Sequence, residues 1–467
     1  MAMSGFQESL EIIKNNLDNI VLINNPIIII NNYALDEQNV KEILNSGALD
    51  LLVQVIEAHI NNPKFLEKPV WAINNCAFFD PIKLYLGKKL QTFGVLINLL
   101  QTHKTERGLT LKCLSALWKL TSNKENFQEI SDQEVVTEII GQMRLWPNDS
   151  EIQATVMGAL TTLSMDKKLG RSIISVGGLL LIVQALEKFP NEDNLIRRAI
   201  MTLFNLAANP LNSALVSQSD AVGAVLNMLE RHEGDQILIE KCTQFFYNLS
   251  TTQDNSEHLG RVGLIPNIIH TMVKWKDYET IADTTLGLLY NLVLEVPNRT
   301  IFARQKGVQA TVIVMRANRQ FKEIQRKCLA IFTALVIEEH LVPYLIEGRA
   351  ILASLLSLRS FPTERLLYRA SLVLLGNCLF FDQSRSEVVE KNGVMVVLDK
   401  IENFINDEEI AERVSLFILN ATVDPKARRQ IANSNGKMIC EKLEQKYSTN
   451  QSISKRVKGA LNNLRFK

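Results

Sequence analysis

An apolar helical stretch closing on asparagine recurs every 43 or 44 residues from one end of the chain to the other. Ile-Ile-Asn-Asn sets the first at Asn32, Trp-Ala-Ile-Asn-Asn the second at Asn75, and Met-Thr-Leu-Phe-Asn-Leu another at Asn205. Gln-Phe-Phe-Tyr-Asn-Leu follows at Asn248, Gly-Leu-Leu-Tyr-Asn-Leu at Asn291, and Val-Leu-Leu-Gly-Asn at Asn377. Leu-Phe-Ile-Leu-Asn reaches Asn420 and Gly-Ala-Leu-Asn-Asn-Leu reaches Asn463. Lys119, Thr162 and Ala334 occupy the remaining positions, giving eleven rungs, of which only the step from Asn75 to Lys119 is 44 residues. A period of this length marks a helical solenoid, in which each unit buries its apolar face only against its neighbours. The expected fold class is all-α, and such chains present long surfaces rather than enclosed catalytic pockets.

One unit, from Thr251 to Leu294, shows the grammar. A polar loop, Thr-Thr-Gln-Asp-Asn-Ser, precedes a short helix over 257–261. Gly263 then breaks the chain, and Pro266 opens a second helix over 267–273. A long third helix, dense in Leu, covers 280–294. Gly47, Gly177, Gly393 and Gly436 punctuate other units in the same way. The expected organisation is one solenoid over 1–467. Residues 1–36 form a truncated N-terminal cap, 37–424 the internal repeats and 425–467 a C-terminal cap, since terminal units must cover an otherwise bare core.

Bulk properties narrow the function. Acidic and basic residues number 50 and 51, so the net charge of +1 gives no bulk drive toward nucleic acid. The most apolar N-terminal stretch, 20–35, is broken by Asn and Pro, and no run reaches the 18 or so apolar residues of a membrane span. With no basic, apolar leader at the start, the expected location is the cytoplasm, with the nucleus as a second compartment. Cys113, Cys242 and Cys328 each precede a rung by six residues. Equivalent cysteines in different repeats read as small buried hydrophobes in a reducing compartment. There is no Gly-rich phosphate loop, His-Glu-x-x-His or Gly-x-Ser-x-Gly motif, and the six histidines are scattered. No catalytic residue, cofactor, metal or small-molecule substrate is assigned.

Positions four and seven residues before a rung share its helix face. Seven before stand Lys68, Lys112, Thr155, Arg198, Lys241, Thr284, Lys327, Ala370, Arg413 and Arg456, seven cations and no acid. One sign at one register suggests a basic groove that attracts an acidic, extended protein segment. The competing explanation is a solvated face whose long side chains cover repeat contacts. Four before the rungs the residues are mostly small or aliphatic, and Trp71 is the exception.

Asn255-Ser256-Glu257-His258-Leu259-Gly260-Arg261-Val262-Gly263-Leu264-Ile265-Pro266 and the Asn-Leu rungs resemble the armadillo-repeat family, and the likeness runs over essentially the whole length. The resemblance implies a right-handed superhelical solenoid of about eleven armadillo-type repeats whose third helices line a concave groove. It also implies that groove asparagines hydrogen-bond the backbone of an extended ligand, which carries over to Asn32, Asn75, Asn205, Asn248, Asn291, Asn377, Asn420 and Asn463. Trp71 and Asn75 resemble the Trp–Asn pair of the importin-α branch, but Trp71 stands alone and the cations would repel a basic cargo. The β-catenin branch, with its positive groove, is the better analogy. The expected function is a non-enzymatic scaffold or adaptor binding an acidic segment, with Asn205–Asn291 and Asn377–Asn463 as its two stretches. Alternatives are a small-GTPase regulator, a structural part of a large assembly such as a cilium, and an importin-α-like carrier.

Overall fold

The computed structural model describes residues 2–89, 91–130 and 134–465, with side chains from residue 5 onward. The described residues form 31 α-helices, a few short 3₁₀ or π turns and no strand. None of these helices is long and apolar enough by itself to cross a membrane. Two compact units divide the chain, Met1–His232 and Glu233–Lys467.

Each unit is a stack of short helical repeats. The first begins with a pair, Ala2–Asn15 and Ile20–Tyr33, and continues in threes such as Lys167–Ser175, Gly178–Lys188 and Asp193–Ala208. Its core runs along successive third helices, Pro63–Cys76 on Arg107–Thr121, then Ser150–Leu163, then Asp193–Ala208. In the second unit Gln236–Leu249 packs on Glu279–Leu294, followed by Lys322–Val336, Arg365–Cys378, Glu408–Ala421 and Gln451–Arg465. All six cysteines are free thiols and buried.

The repeat over 251–294 departs from the expected boundaries in an instructive way. Its first helix is Gln253–Arg261, so the polar stretch expected as loop is mostly helical. Asn255 and Ser256 are buried, and their side chains donate to the carbonyls of Leu249 and Ser250 at 3.0 and 2.8 Å. They satisfy the carbonyls orphaned at the end of the preceding helix. The same register, seven residues past a rung, holds a second asparagine ladder. Asn126 Nδ2 donates to Leu120 O and Lys83 O at 2.9 and 3.1 Å. Asn298 Nδ2 donates to Leu292 O and Ser256 O, both at 3.0 Å. Each of these two side chains ties a helix end to the repeat before it.

The glycine turns also resolve into two jobs. Gly47, Gly177 and Gly263 take left-handed φ values of 76°, 81° and 83°. In later repeats that conformation falls on Lys306, Arg349, Asn392 and Asn435, with φ between 56° and 60°. Gly393 and Gly436 sit one residue further on, where a Cβ would lie 2.8 and 2.6 Å from the carbonyls of Val388 and Ile431. There glycine supplies room, not φ freedom.

Candidate functional site

The rungs lie at the C-terminal ends of the third helices, and the structure sorts them into closed and open. Asn205 Nδ2 donates to Thr161 O and Ser164 Oγ, both at 3.1 Å. Asn291 Nδ2 donates to Ser250 Oγ at 3.0 Å and Asn463 Nδ2 to Thr422 Oγ1 at 2.9 Å. Thr162 and Thr121 share a hydroxyl bond of 2.8 Å. In all four the partner is a Ser or Thr 41 residues earlier. Where that sequence position is Ala207, Val336 or Leu379, the rungs are Asn248, Asn377 and Asn420. The Nδ2 atoms of Asn248 and Asn420 are buried without a partner. Asn377 is half-buried and has no hydroxyl at that position.

The first rungs differ again. Asn75 is only 5 % exposed and donates to Asn31 Oδ1 at 2.9 Å, so its amide is spent inside the fold. Trp71, one turn earlier, is 40 % exposed, and the expected Trp–Asn pair therefore presents a ring but not an amide. Among the described residues Lys119 meets no carboxylate. Its Nζ donates to Asn74 O at 3.1 Å and sits 3.2 Å from the centroid of the Phe78 ring. Burial, helped by the charge of Lys83, lowers its pKa to about 8.

Each cation of the row has a partner within the protein, a carboxylate for five of them and a neutral group for Lys68 and Arg198. Lys112 pairs with Glu67 at 2.5 Å, Lys327 with Asp283 at 2.6 Å and Arg456 with Glu412 at 3.4 Å. Arg198 donates to Ala154 O at 2.7 Å, and Lys68 donates to Asn24. Every one of these partners stands eight residues before its own rung, in the preceding repeat. Lys241 bonds Gln244 at 2.9 Å within its helix, and Arg413 reaches Glu409 at 3.3 Å. Lys68, Lys112, Arg198, Lys327 and Arg456 thus tie one repeat to the one before it, while these contacts of Lys241 and Arg413 lie within their own helices.

One of them also closes an aromatic stack. Arg198 lies 4.3 Å from the Trp118 ring centroid, and Trp118 covers Gly158, where a Cβ would come within 2.6 Å of it. In the second unit Tyr247 covers Gly287, where a Cβ would come within 2.9 Å of the ring and 3.6 Å of Lys327 Nζ. Gly158 and Gly287, four before their rungs, are thus seats for an aromatic from the preceding repeat, whereas Gly459 faces Leu419.

This geometry can be set beside known proteins. The family described as protein zer-1 homolog-like, C-terminal domain, matches residues 161–406, more than half of the chain. The chain belongs to that family. No curated protein matches the sequence significantly. Among solved structures, an engineered protein from a structural genomics consortium aligns with a TM-score of 0.70 at 16 % identity, covering 89 % of this chain and 98 % of its own. A structure from work on a phosphorylation switch controlling the interaction between cadherin and β-catenin aligns with a TM-score of 0.67 at 13 % identity, covering 98 % of both chains. At such identities the likeness is one of fold, and that fold is an armadillo-like helical solenoid.

In this zer-1 homolog-like chain the described residues contain no group of His, Cys, Asp and Glu that could hold a metal. Its strongest charge clusters serve the repeat stack. Arg107 forks onto Asp149 and Glu151 at 2.5 and 2.7 Å, and Arg365 onto Asp407 and Glu409 at 2.5 and 2.9 Å. Asp149 and Asp407 also cap their helices, accepting from the backbone of Ile152 and Ile410 at 3.1 Å. The Arg369 and Arg365 guanidiniums hold the Glu409 carboxyl down to about 2.

Proposed function

We propose that the protein is a non-enzymatic interaction scaffold that binds an extended segment of a partner protein across the third helices of the second unit. Asn377 and Asn420 take its backbone groups, and Asn248 is a further contact. The observation that carries this is that Asn377 and Asn420 lack the hydroxyl that holds Asn291 and Asn463; the Asn420 Nδ2 is unpartnered and turned inward, and rotation of its side chain would bring it to a ligand. An amide withdrawn from water without a partner costs about 1–3 kcal/mol, and such a cost persists where a function uses the group. The solved structure connected with cadherin and β-catenin supports a protein as the ligand class. Asn205 and Asn291, expected as ligand contacts, already spend an amide N–H on a serine, which moves the weight from the Asn205–Asn291 stretch to Asn377–Asn420. Because five of the seven cations already meet a carboxylate of the protein itself, the proposal rests on the amides rather than on the charge of the partner.

Peptides selected by phage display on the wild-type chain provide the test. Their affinity should fall about tenfold or more with Asn377→Leu and Asn420→Leu together, and should survive Asn291→Leu. Selected peptides that ignore the Asn377/Asn420 pair would sink the proposal.

A further inference from the structure

The second helices of two consecutive repeats in the second unit, Gly307–Ala317 and Ala350–Ser360, pack against each other and leave a cavity of about 200 Å³ toward their C-terminal ends. Met315 and Leu356 supply apolar lining, Arg316, Arg319 and Arg359 supply three cations, and no residue lining the cavity is acidic. Arg316 and Arg359 stand 43 residues apart, at one register of successive repeats, and all three arginines are exposed. Among the described residues none of the three guanidiniums has a hydrogen bond or an ion pair. They differ in this from the cations seven before the rungs, which already have partners within the protein.

A hydroxyl of the lining is also unspent. Ser357 is 4 % exposed, and its Oγ is buried without a partner. Ser354 and Ser360, on the same helix, each bond the carbonyl four residues back, at 2.7 and 3.1 Å. Ser357 makes no such bond, so rotation about χ1 can turn its hydroxyl to a ligand in the cavity. Helix C-termini oppose an anion, each carrying about half a negative charge. Three full positive charges exceed that, and the carbonyls around Arg316 are already taken. Gln325 Nε2 donates to Met315 O and Asn318 O at 2.7 and 3.0 Å, and Asn318 Nδ2 to Val314 O at 3.0 Å. The cavity is therefore electropositive.

Size and charge select the ligand. Pockets for whole small molecules run to about 300–1,000 Å³, so this one holds a single compact group. A phosphoryl group on a side chain carries about −1.5 to −2 charges at pH 7 and three acceptor oxygens, and planar guanidiniums fork onto it. A carboxylate would bring only one charge to three arginines. The basic character stops with this pair of repeats, since the same register holds Val273 one repeat earlier and Glu402 one repeat later. Glu402 is held by Lys442 at 2.7 Å, and Asp399, which lines the adjoining cavity with Arg359, is held by Lys400 at 2.6 Å. Anionic membranes are met by clusters of about 4–8 Lys or Arg. A local trio with acids beside it fits one phosphorylated side chain better than a lipid surface.

We propose that this cavity binds the phosphoryl group of a phosphorylated serine or threonine on a partner protein, with Arg316, Arg319 and Arg359 on its oxygens and Ser357 as a further donor. The site lies on second helices and is independent of the open-rung reading. The probe is a fluorescein-labelled peptide library with one fixed phosphoserine between randomised positions, beside the same library with plain serine. In anisotropy against the full chain the phosphorylated library should bind at least about tenfold more tightly. Arg316→Gln with Arg359→Gln should bring the two libraries within about twofold of each other. Arg261→Gln with Arg304→Gln removes the same charge from exposed positions outside the cavity and should leave the preference intact. Helicity at 222 nm should match wild type in both variants, because all four side chains are exposed. Equal binding of the two libraries, or a preference that survives in the cavity variant, overturns the proposal. Loss of the preference in both variants overturns it too, by assigning the effect to bulk charge. An arginine-dependent rise in melting temperature with inorganic phosphate, without a preference for the phosphorylated library, would overturn it by assigning the cavity to a free anion. Arginine-dependent cosedimentation with phosphatidylinositol-phosphate vesicles, again without that preference, would overturn it by assigning the cavity to a lipid.

Discussion

Replacing an open and a closed rung by the same residue should shift stability in opposite directions. Asn291→Leu removes the 3.0 Å bond to Ser250 Oγ, whose hydroxyl keeps its own 2.9 Å bond to Tyr247 O. The loss is therefore one net hydrogen bond, about 1 kcal/mol. Asn420→Leu removes a buried N–H with no partner and puts a side chain of similar shape in its place. Relief of that desolvation, about 1–3 kcal/mol less whatever repacking costs, should leave the variant neutral to about 2 kcal/mol more stable. In a unit of this size 1 kcal/mol moves the melting midpoint by about 2–4 °C. Thermal melts followed at 222 nm, with urea midpoints alongside, should show Asn291→Leu below wild type and Asn420→Leu at or above it. Equal destabilisation by both would mean that the Asn420 amide is satisfied within the fold, and the distinction between rungs would collapse.

Asn298→Ala, which removes the side-chain bonds to the Leu292 and Ser256 carbonyls but leaves Leu292 O its bond from Glu295 N–H, should destabilise by about 1–2 kcal/mol in urea titration. Gly260→Ala drives a Cβ into the Asn298 amide, so Gly260→Ala and Asn298→Ala together should cost less than the sum of the two singles in a double-mutant cycle. Lys119 should titrate near pH 8 by NMR of its labelled side chain. Because its folded pKa lies below the ordinary lysine value, the folded state binds fewer protons over about pH 8–10, and stability gains with pH there. The advantage of Lys119→Met should accordingly shrink across that window. Asp149, Asp407 and Glu409 have depressed carboxyl pKa values, that of Glu409 about 2, so their contribution is present above the ordinary carboxylate range and is lost as pH falls through that range toward the folded values. Glu409→Gln should flatten that acid limb in a pH series of melts.

The period was legible because each repeat buries the same face, and apolar residues recur with it. The third helix of the repeat over 251–294 was readable to within one residue, and the cysteines at equivalent positions are buried as their register implies. The meaning of the cation row was not legible from one register. Lys327 looks like a free groove charge until Asp283 is placed beside it, and Asp283 lies 44 residues away at a different position of its own repeat. Open and closed rungs look identical locally, because the deciding residue ends the preceding third helix. Ser250 closes Asn291, while Leu379 at the corresponding position leaves Asn420 without a hydroxyl. The second ladder escaped notice because Asn126 and Asn298 sit in stretches polar enough to pass for loops.

The central claim is that open rungs hold a ligand backbone, and a crystal structure of the chain with a phage-selected peptide tests it most directly. The account predicts an extended peptide whose backbone oxygens lie within about 3.2 Å of the Nδ2 atoms of Asn377 and Asn420, with Asn291 still bound to Ser250. A peptide seated elsewhere, with both amides as empty as before, would contradict it.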